Sequence, residues 1–471
     1  MASLEGLSPC TPSLEQTKRL LGLYERGLIN EAEEVAVSYT QAFPSHPFGW
    51  KVLGAVLRAK GKRSDAIWAI NKAIACAPED FEAHNSLGIT LQEIGKLEDS
   101  ESAFRAAITI NPDCIEAHFN LGNTLKKSGQ LEKAKNSLKK AASLNPNFAE
   151  VYVNLGNTYR ELGRTGSAKA SYLKAVKIRH DFTEAYYNLG SMLKELEDYE
   201  GAENCFKKVL ALRPGYPEAD SQFLTCLFLL NRKSSFLEKL RFMIDQGEVN
   251  ATIGSLVCRS RLRYGFASLN PFCNEPLKYV CHINLNHKHS FERDLLGKLK
   301  NVLRDNKVSM RSQPLLLGGH QTYGNLFEIE DHRIKIIEKI IRSEIDKYLI
   351  IHSNSEEGFI RNWPEKYDLY GWIVNMKSGG NLRPHIHDQG WLSGSLYINV
   401  PQKKYDKSGS LVLSLGEETG TNHFGENSSK IIDVATGSLV LFPASLMHHT
   451  VPFESHEDRV AFAFDVIRSK V

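Results

Sequence analysis

The sequence predicts two architectures in one chain: an all-α array of helical-hairpin repeats, then a mostly-β domain folded as a double-sheet barrel. Three observations predict this. Gly54, Gly88, Gly122, Gly156 and Gly190 recur every 34 residues. The period vanishes past about residue 230. After residue 365 the segments are short, β-branched or aromatic, and bounded by Gly, Pro or Ser. The expected division is 13–230 for the repeats with their caps, 231–275 for a connector and 276–471 for the β-rich domain.

Four position classes hold one register through the first half. Trp50, His84, His118, Tyr152 and Tyr186 precede the glycines by four residues. Small residues recur at Ala32, Ala66, Ser100, Ala134, Ala168 and Ala202, and prolines close units at Pro44, Pro78, Pro112, Pro146 and Pro214. Each unit reads as two antiparallel helices. The Gly and Ala positions admit close helix approach, and Pro ends the unit because it cannot continue a helix. One unit cannot bury its apolar face alone, so the units stack into a superhelix with a concave groove. The segment "YVNLGNTYRELGRTGSAKASYLKAVKI" resembles the tetratricopeptide repeat in its Gly, aromatic and Ala pattern.

Asn120, Asn154 and Asn188 share one position of successive units, and Asn123 and Asn157 another. A carboxamide both donates and accepts, so it can pair with any peptide bond. The "NLGN" wording resembles repeat arrays in which an asparagine ladder holds an extended peptide. The resemblance implies a protein or peptide partner in the groove; the alternative is polar filler on an exposed helix face.

In the second half "LKYVCHINL" reads as the first strand. Two helices follow, "SFERDLLGKLKNVLRDN" and "DHRIKIIEKIIRSEIDKYLIIH", with "LLLGGHQTYGNLF" as a loop between them. Six strands then run from "DLYGWIVNM" to "RVAFAFDVI". Many short strands after a helical start predict a double-stranded β-helix of the jelly-roll or cupin kind, with flanking helices.

The chemistry concentrates in two stretches. In "NLRPHIHDQGWLSGSLYINVP", His385 and His387 are two residues apart and so point to one face of a strand. In "GSLVLFPASLMHHTVPFESHEDRVAFAFDV", His448 follows a buried strand and Arg459 opens the last one. A metal needs ligands from at least two strands, and this layout supplies them.

These stretches resemble iron(II)/2-oxoglutarate dioxygenases, most closely a branch found in bacteria and their phages. That branch reads "HxHxxxxLSGxxY" and then "FPxxxxHxxxPF…RxxxAF". It is matched by His385, His387, Leu392 to Gly394, Tyr397, Phe442, Pro443, His448, Pro452, Phe453, Arg459, Ala463 and Phe464. "GGHQTYGNLF" at 318–327 resembles an earlier signature of the branch. The resemblance implies Fe(2+) held by His385 and His448, with 2-oxoglutarate as cosubstrate. Arg459 would bind its distal carboxylate, with Tyr397 or Asn375 completing the shell. The sequence departs at the third ligand, where most of the superfamily has Asp or Glu. Here the position is His387, with Asp388 next to it as the alternative.

The implied activity is hydroxylation of a protein or peptide presented by the repeats. Two alternatives stand beside it: a repeat scaffold with a degenerate barrel, and a three-histidine iron dioxygenase that does not use 2-oxoglutarate. The balance of 58 basic against 55 acidic residues argues against a nucleic-acid or membrane-surface binder. No apolar run long enough to span a membrane and no secretory signal are read in the sequence. Eight scattered cysteines without a CxxC pair read as reduced thiols in a cytoplasm.

Overall fold

A computed structural model describes residues 11–287, 310–311, 315–322, 324–416 and 428–469. It divides into two compact units, up to Ala185 and from Tyr186 onward. The expected helix "SFERDLLGKLKNVLRDN" lies outside the described residues.

In the first unit five hairpins follow one another. They pair α1 (Leu14–Glu25) with α2 (Ile29–Ala42), α3 (Pro47–Ala59) with α4 (Arg63–Cys76) and α5 (Phe81–Glu93) with α6 (Leu97–Ile110). They continue with α7 (Ile115–Lys127) and α8 (Leu131–Leu144), then α9 (Ala149–Glu161) and α10 (Thr165–Ile178). Ser13 starts the array with a capping box: its hydroxyl accepts from the Gln16 N–H while the Gln16 side chain accepts from the Ser13 N–H. The periodic glycines act inside each hairpin. A Cβ on Gly156 would stand 2.4 Å from the Tyr172 ring, and one on Gly122 would stand 2.6 Å from Leu138. The glycine therefore seats a large side chain of the second helix against the first. Gly156→Val should cost about 1–3 kcal/mol through overpacking. Calorimetry of the full chain should show its lowest transition moved down; an unmoved transition would contradict this packing account.

A second glycine series turns each hairpin. Gly27, Gly61, Gly95, Gly129 and Gly163 all adopt φ between 71° and 77°, the left-handed conformation that ends a helix. Thirty-four residues on, the same place is held by Glu197 at φ 62°, and again by Asn231 at φ 54°.

In the second unit the helical register continues through α11 (Thr183–Glu195, which begins at the end of the first unit), α12 (Tyr199–Leu212), α13 (Pro217–Leu229) and α14 (Lys233–Asp245). Helix α15 (Ala251–Tyr264) closes on Gly265 in the left-handed conformation. Strands follow: β1 (Cys281–Asn284), β2 (Met310–Arg311), β3 (Leu316–Thr322), β4 (Tyr367–Leu382), β5 (Leu392–Asn399), β6 (Leu411–Ser414), β7 (Ser429–Ile432), β8 (Ser438–Pro443), β9 (Met447–Thr450) and β10 (Arg459–Arg468). The segment expected as a loop, "LLLGGHQTYGNLF", contains β3. It pairs with β4 through a register shift at Leu317–Gly319, where a Cβ on Gly319 would meet the Asn375 carbonyl at 2.5 Å. The glycines that suggested a loop make a bulge instead.

The expected closed barrel, a double-stranded β-helix of the jelly-roll or cupin kind, does not form. The strands make two open antiparallel sheets, one ordered β1-β8-β5-β10-β4-β3-β2 and one ordered β7-β6-β9. Closure requires paired edges, whereas the large sheet ends in a four-residue β1 and a two-residue β2. One isolated bridge, His385 with His448, connects the chain just past β4 to edge strand β9.

Strand alternation sorts the large sheet into two faces. Val460, Phe462, Phe464 and Val466 of β10 join a core with Ile334, Ile337, Ile341 and Ile345 of the helix His332–Ile351. Tyr397, Val440, Phe442 and Ala461 point the other way, into a core shared with Leu411, Leu413 and Ile432 of the small sheet. The helix covers one face, which leaves the inter-sheet face to hold the polar groups.

Candidate metal centre

His448 lies on β9, opposite Leu413 of β6. The His385 N–H donates to the His448 carbonyl at 3.2 Å and the His448 N–H donates back at 2.9 Å. That reciprocal bridge sets the two imidazoles side by side, ring centroids 4.1 Å apart. The His387 ring stands 4.7 Å from that of His448 and 5.2 Å from that of His385. One ring nitrogen from each lies within 4.8 Å of the others, and no further such group of His, Cys, Asp or Glu occurs among the described residues. His385 and His387 are not on a regular strand; the pairing of His385 with β9 orients the segment.

The hydrogen bonds fix the tautomers. Nδ1 of His385 is 2.8 Å from the Arg383 carbonyl, and Nδ1 of His448 is 3.3 Å from the Leu446 carbonyl. Nδ1 of His387 is 2.7 Å from Asp465 Oδ1. Carbonyls and carboxylates only accept, so each Nδ1 carries a proton, and in the neutral ring Nε2 then keeps a lone pair. The Nε2 atoms of His385 and His387 are nonetheless 3.3 Å apart. Two lone pairs at that distance repel unless a proton on His387, whose pKa is raised by Asp465, or a metal ion lies between them. Three outward-braced imidazoles with converging lone pairs therefore fit a metal ion.

Electrostatics agree. Burial pushes the His385 pKa down to about 4, with His387 adding to it. Burial likewise holds His448 well below its ordinary value, helped by His385 and His387. Burial pulls His387 downward too, but the charge and hydrogen bond of Asp465 outweigh it and the pKa rises. His385 and His448 are thus neutral at neutral pH, the form a metal takes.

The cavity at the histidines is walled by Trp372, Leu411, Phe442, Tyr397 and Arg459 among others and encloses about 50 Å³. Arg459 is 3 % exposed; its Nε donates to the Gly409 carbonyl at 3.1 Å, and its guanidinium lies 4.9 Å from the Tyr397 ring centroid. Among the described residues no carboxylate pairs with it. Burial lowers the Arg459 pKa, with Tyr397 opposing.

Other expected residues are placed differently. The Asp388 carboxylate, the alternative third ligand, accepts from Gln222 Nε2 at 2.7 Å and Thr252 Oγ1 at 3.3 Å, with Lys194 Nζ at 3.9 Å. Asn375 donates to Asp458 at 3.0 Å. It lies on the pleat opposite Val374 and Met376, which line the cavity, so it does not join them. In the repeats, Asn120 donates to Asn85 at 3.2 Å and Asn157 accepts from the Tyr172 hydroxyl at 2.6 Å. Asn154 donates to the Glu150 carbonyl and accepts from Lys126 at 3.5 Å, while Asn123 Oδ1 is buried without a partner. Asn188 is half-buried. Two residues that hydrogen-bond to the expected site residues Asp388 and His387 were not singled out by the sequence. Gln222 stands 34 residues after Asn188 and continues that series. Asp465 stands six residues after Arg459, on the same face of β10.

Comparison with known proteins supports both halves. Residues 370–465 match the family described as "Putative 2OG-Fe(II) oxygenase". Tetratricopeptide-repeat models match residues 69–102, 122–163, 156–196 and 183–216. The chain thus carries tetratricopeptide repeats and, C-terminal to them, a 2OG-Fe(II) oxygenase-like domain. No curated protein matches it. Among solved structures, MamA is 26% identical, covering 35% of this chain and 97% of that one, with a TM-score of 0.33. YrrB, described as a TPR protein with an unusual peptide-binding site, is 19% identical over 40% of this chain and 97% of that one, with a TM-score of 0.35. PilF of Pseudomonas aeruginosa is 16% identical over 42% of this chain and 90% of that one, with a TM-score of 0.38. Likenesses at these TM-scores carry no functional weight. Among the described residues no helix is long and apolar enough to cross a membrane.

Proposed function

We propose that this chain, which joins tetratricopeptide repeats to a 2OG-Fe(II) oxygenase-like domain, is a non-haem iron oxygenase with a three-histidine centre. The observation that carries the reading is the convergence of His385, His387 and His448, each braced through Nδ1, with no carboxylate among the grouped donors. That donor set departs from two imidazoles and a carboxylate, and it favours an oxygenase that works without 2-oxoglutarate. Imidazole donors suit ferrous iron, which supplies oxygen activation when bound. Trp372, Leu411 and Phe442 keep water from the site. Arg459 takes the carboxylate of the organic substrate; a small thiol carboxylate is the simplest class that three-histidine centres of this kind oxidise.

A second reading draws on the same buried Arg459, which pairs with no carboxylate among the described residues. In it, the carboxylate that Arg459 holds belongs to 2-oxoglutarate, with Tyr397 beneath the guanidinium, and the oxidised group is on a polypeptide. The repeats recruit that polypeptide. The carboxamide series Asn120, Asn154, Asn188 supports this, because its next member Gln222 already grips a side chain of another segment, Asp388. Iron kept ferrous and the free cysteines suit a reducing cytoplasm.

Iron-loaded protein should consume oxygen when given a small thiol carboxylate and no 2-oxoglutarate. Succinate formed in proportion to oxygen used would transfer the assignment to the second reading. Fully iron-loaded protein that does neither would leave a repeat scaffold with an inert domain.

A further inference from the structure

We propose that Asp465 is the acidic group of this metal centre, displaced by one hydrogen bond from the ligand set. The proposal rests on the three-histidine reading above. This chain has the imidazole of His387 where a two-histidine, one-carboxylate facial triad has its carboxylate, and of the three histidines only His387 is backed by a carboxylate. His385 and His448 lean on the neutral carbonyls of Arg383 and Leu446. The missing charge is therefore restored behind the one ligand that lacks it.

The surroundings of Asp465 are built for this. It is 8 % exposed on β10, and Oδ1 accepts from both His387 Nδ1 and Ser393 Oγ at 2.7 Å. Ser393 is its cross-strand partner on β5, so the sheet register delivers both groups to one face. A Cβ on Gly390 would stand 3.2 Å from Oδ1, so the absence of a side chain there leaves the carboxylate its room. Among the described residues no Lys or Arg pairs with Asp465. A buried carboxylate needs positive charge nearby, and the imidazole of His387 leads from it to the converging nitrogens. Asp465 is a positioning residue: it fixes the ring and its tautomer, increases the donor strength of Nε2, and brings the centre to the net charge of two imidazoles and a carboxylate.

Asp465→Asn removes the charge while keeping an acceptor of the same shape. Cobalt(II) serves as the probe, read by its visible spectrum and by competition with a chelator. Asp465→Asn should weaken cobalt binding by about 10–100-fold and shift the ligand-field bands, without lowering the thermal midpoint of the metal-free protein. Ser393→Ala keeps the charge and should cost less; it also serves should Asp465→Asn fail to fold. In a His387→Asp background the carboxylate is already among the ligands, so Asp465→Asn should cost nothing further. Binding within twofold of wild type for Asp465→Asn, with unshifted bands, overturns the proposal. Wild-type protein that binds no cobalt overturns the metal reading beneath it, and the two failures are separate.

Discussion

His448→Ala should lose bound iron almost completely. His448 is one of the three grouped ring donors, is 6 % exposed, and packs against the other two rings. Removing an outer-sphere partner of a ligand typically costs about 10–100-fold in metal affinity, so loss of the ligand itself should exceed that. The purified variant should hold a small fraction of the wild-type metal by plasma mass spectrometry after dialysis against a weak chelator. Its helical circular dichroism should be unchanged, because each repeat depends chiefly on its neighbours. His385→Ala should behave alike, with some added loosening, since its backbone bridge to His448 remains but its ring no longer packs there. A His448→Ala protein with wild-type iron would show that these histidines do not form the centre.

Much of this centre was legible because its parts follow short-range rules. His385 and His387 lie two residues apart, although the bridge to β9 rather than a regular strand orients them, and His448 and Arg459 lie on strands. The repeats were legible for a related reason: a fixed period of 34 exposes every structural position several times over. The second glycine series, from Gly27 to Gly163, carries the same signal and marks the hairpin turns. Asp465 was legible in principle. In "RVAFAFDVI" it shares the parity of Arg459 and is the one acid on that face, with Ala461 and Ala463 between them.

The remainder depends on tertiary pairing that spacing does not encode. Short alternating strands look the same whether their edges close into a barrel or end open, and here they end open. Gly318 and Gly319 looked like a loop because a bulge and a turn use the same residue. Asn375 is expected at the cavity from its place on a neighbouring strand, but the pleat turns it toward Asp458. Asp388 seemed available by adjacency to His387, but Gln222 and Thr252, 166 and 136 residues earlier, engage its carboxylate.

Arg459 should show opposite effects on stability and on ligand binding. A buried guanidinium without a carboxylate is costly in the metal-free protein, and sites kept for function often carry such a cost. Arg459→Met keeps the stem and removes the charge, giving up the hydrogen bond to the Gly409 carbonyl, the weaker one to Met376 Sδ and the interaction with Tyr397. The thermal midpoint of metal-free Arg459→Met should therefore be no lower than that of wild type. Ligand binding should move the other way. Leaving one partner of a buried pair alone typically costs about 3–5 kcal/mol. That corresponds to a rise of roughly two to three powers of ten in the concentration of carboxylate ligand required. Iron content should stay near the wild-type level, because Arg459 is not among the grouped donors. The measurement is a titration of iron-loaded protein with the carboxylate that supports oxygen uptake, whether a thiol carboxylate or 2-oxoglutarate. If affinity is unchanged while the midpoint falls, Arg459 braces the Gly409 loop and anchors no ligand. If affinity falls a hundredfold with iron retained, the guanidinium is the anchor, and the ligand it prefers identifies which of the two oxygenase readings is correct.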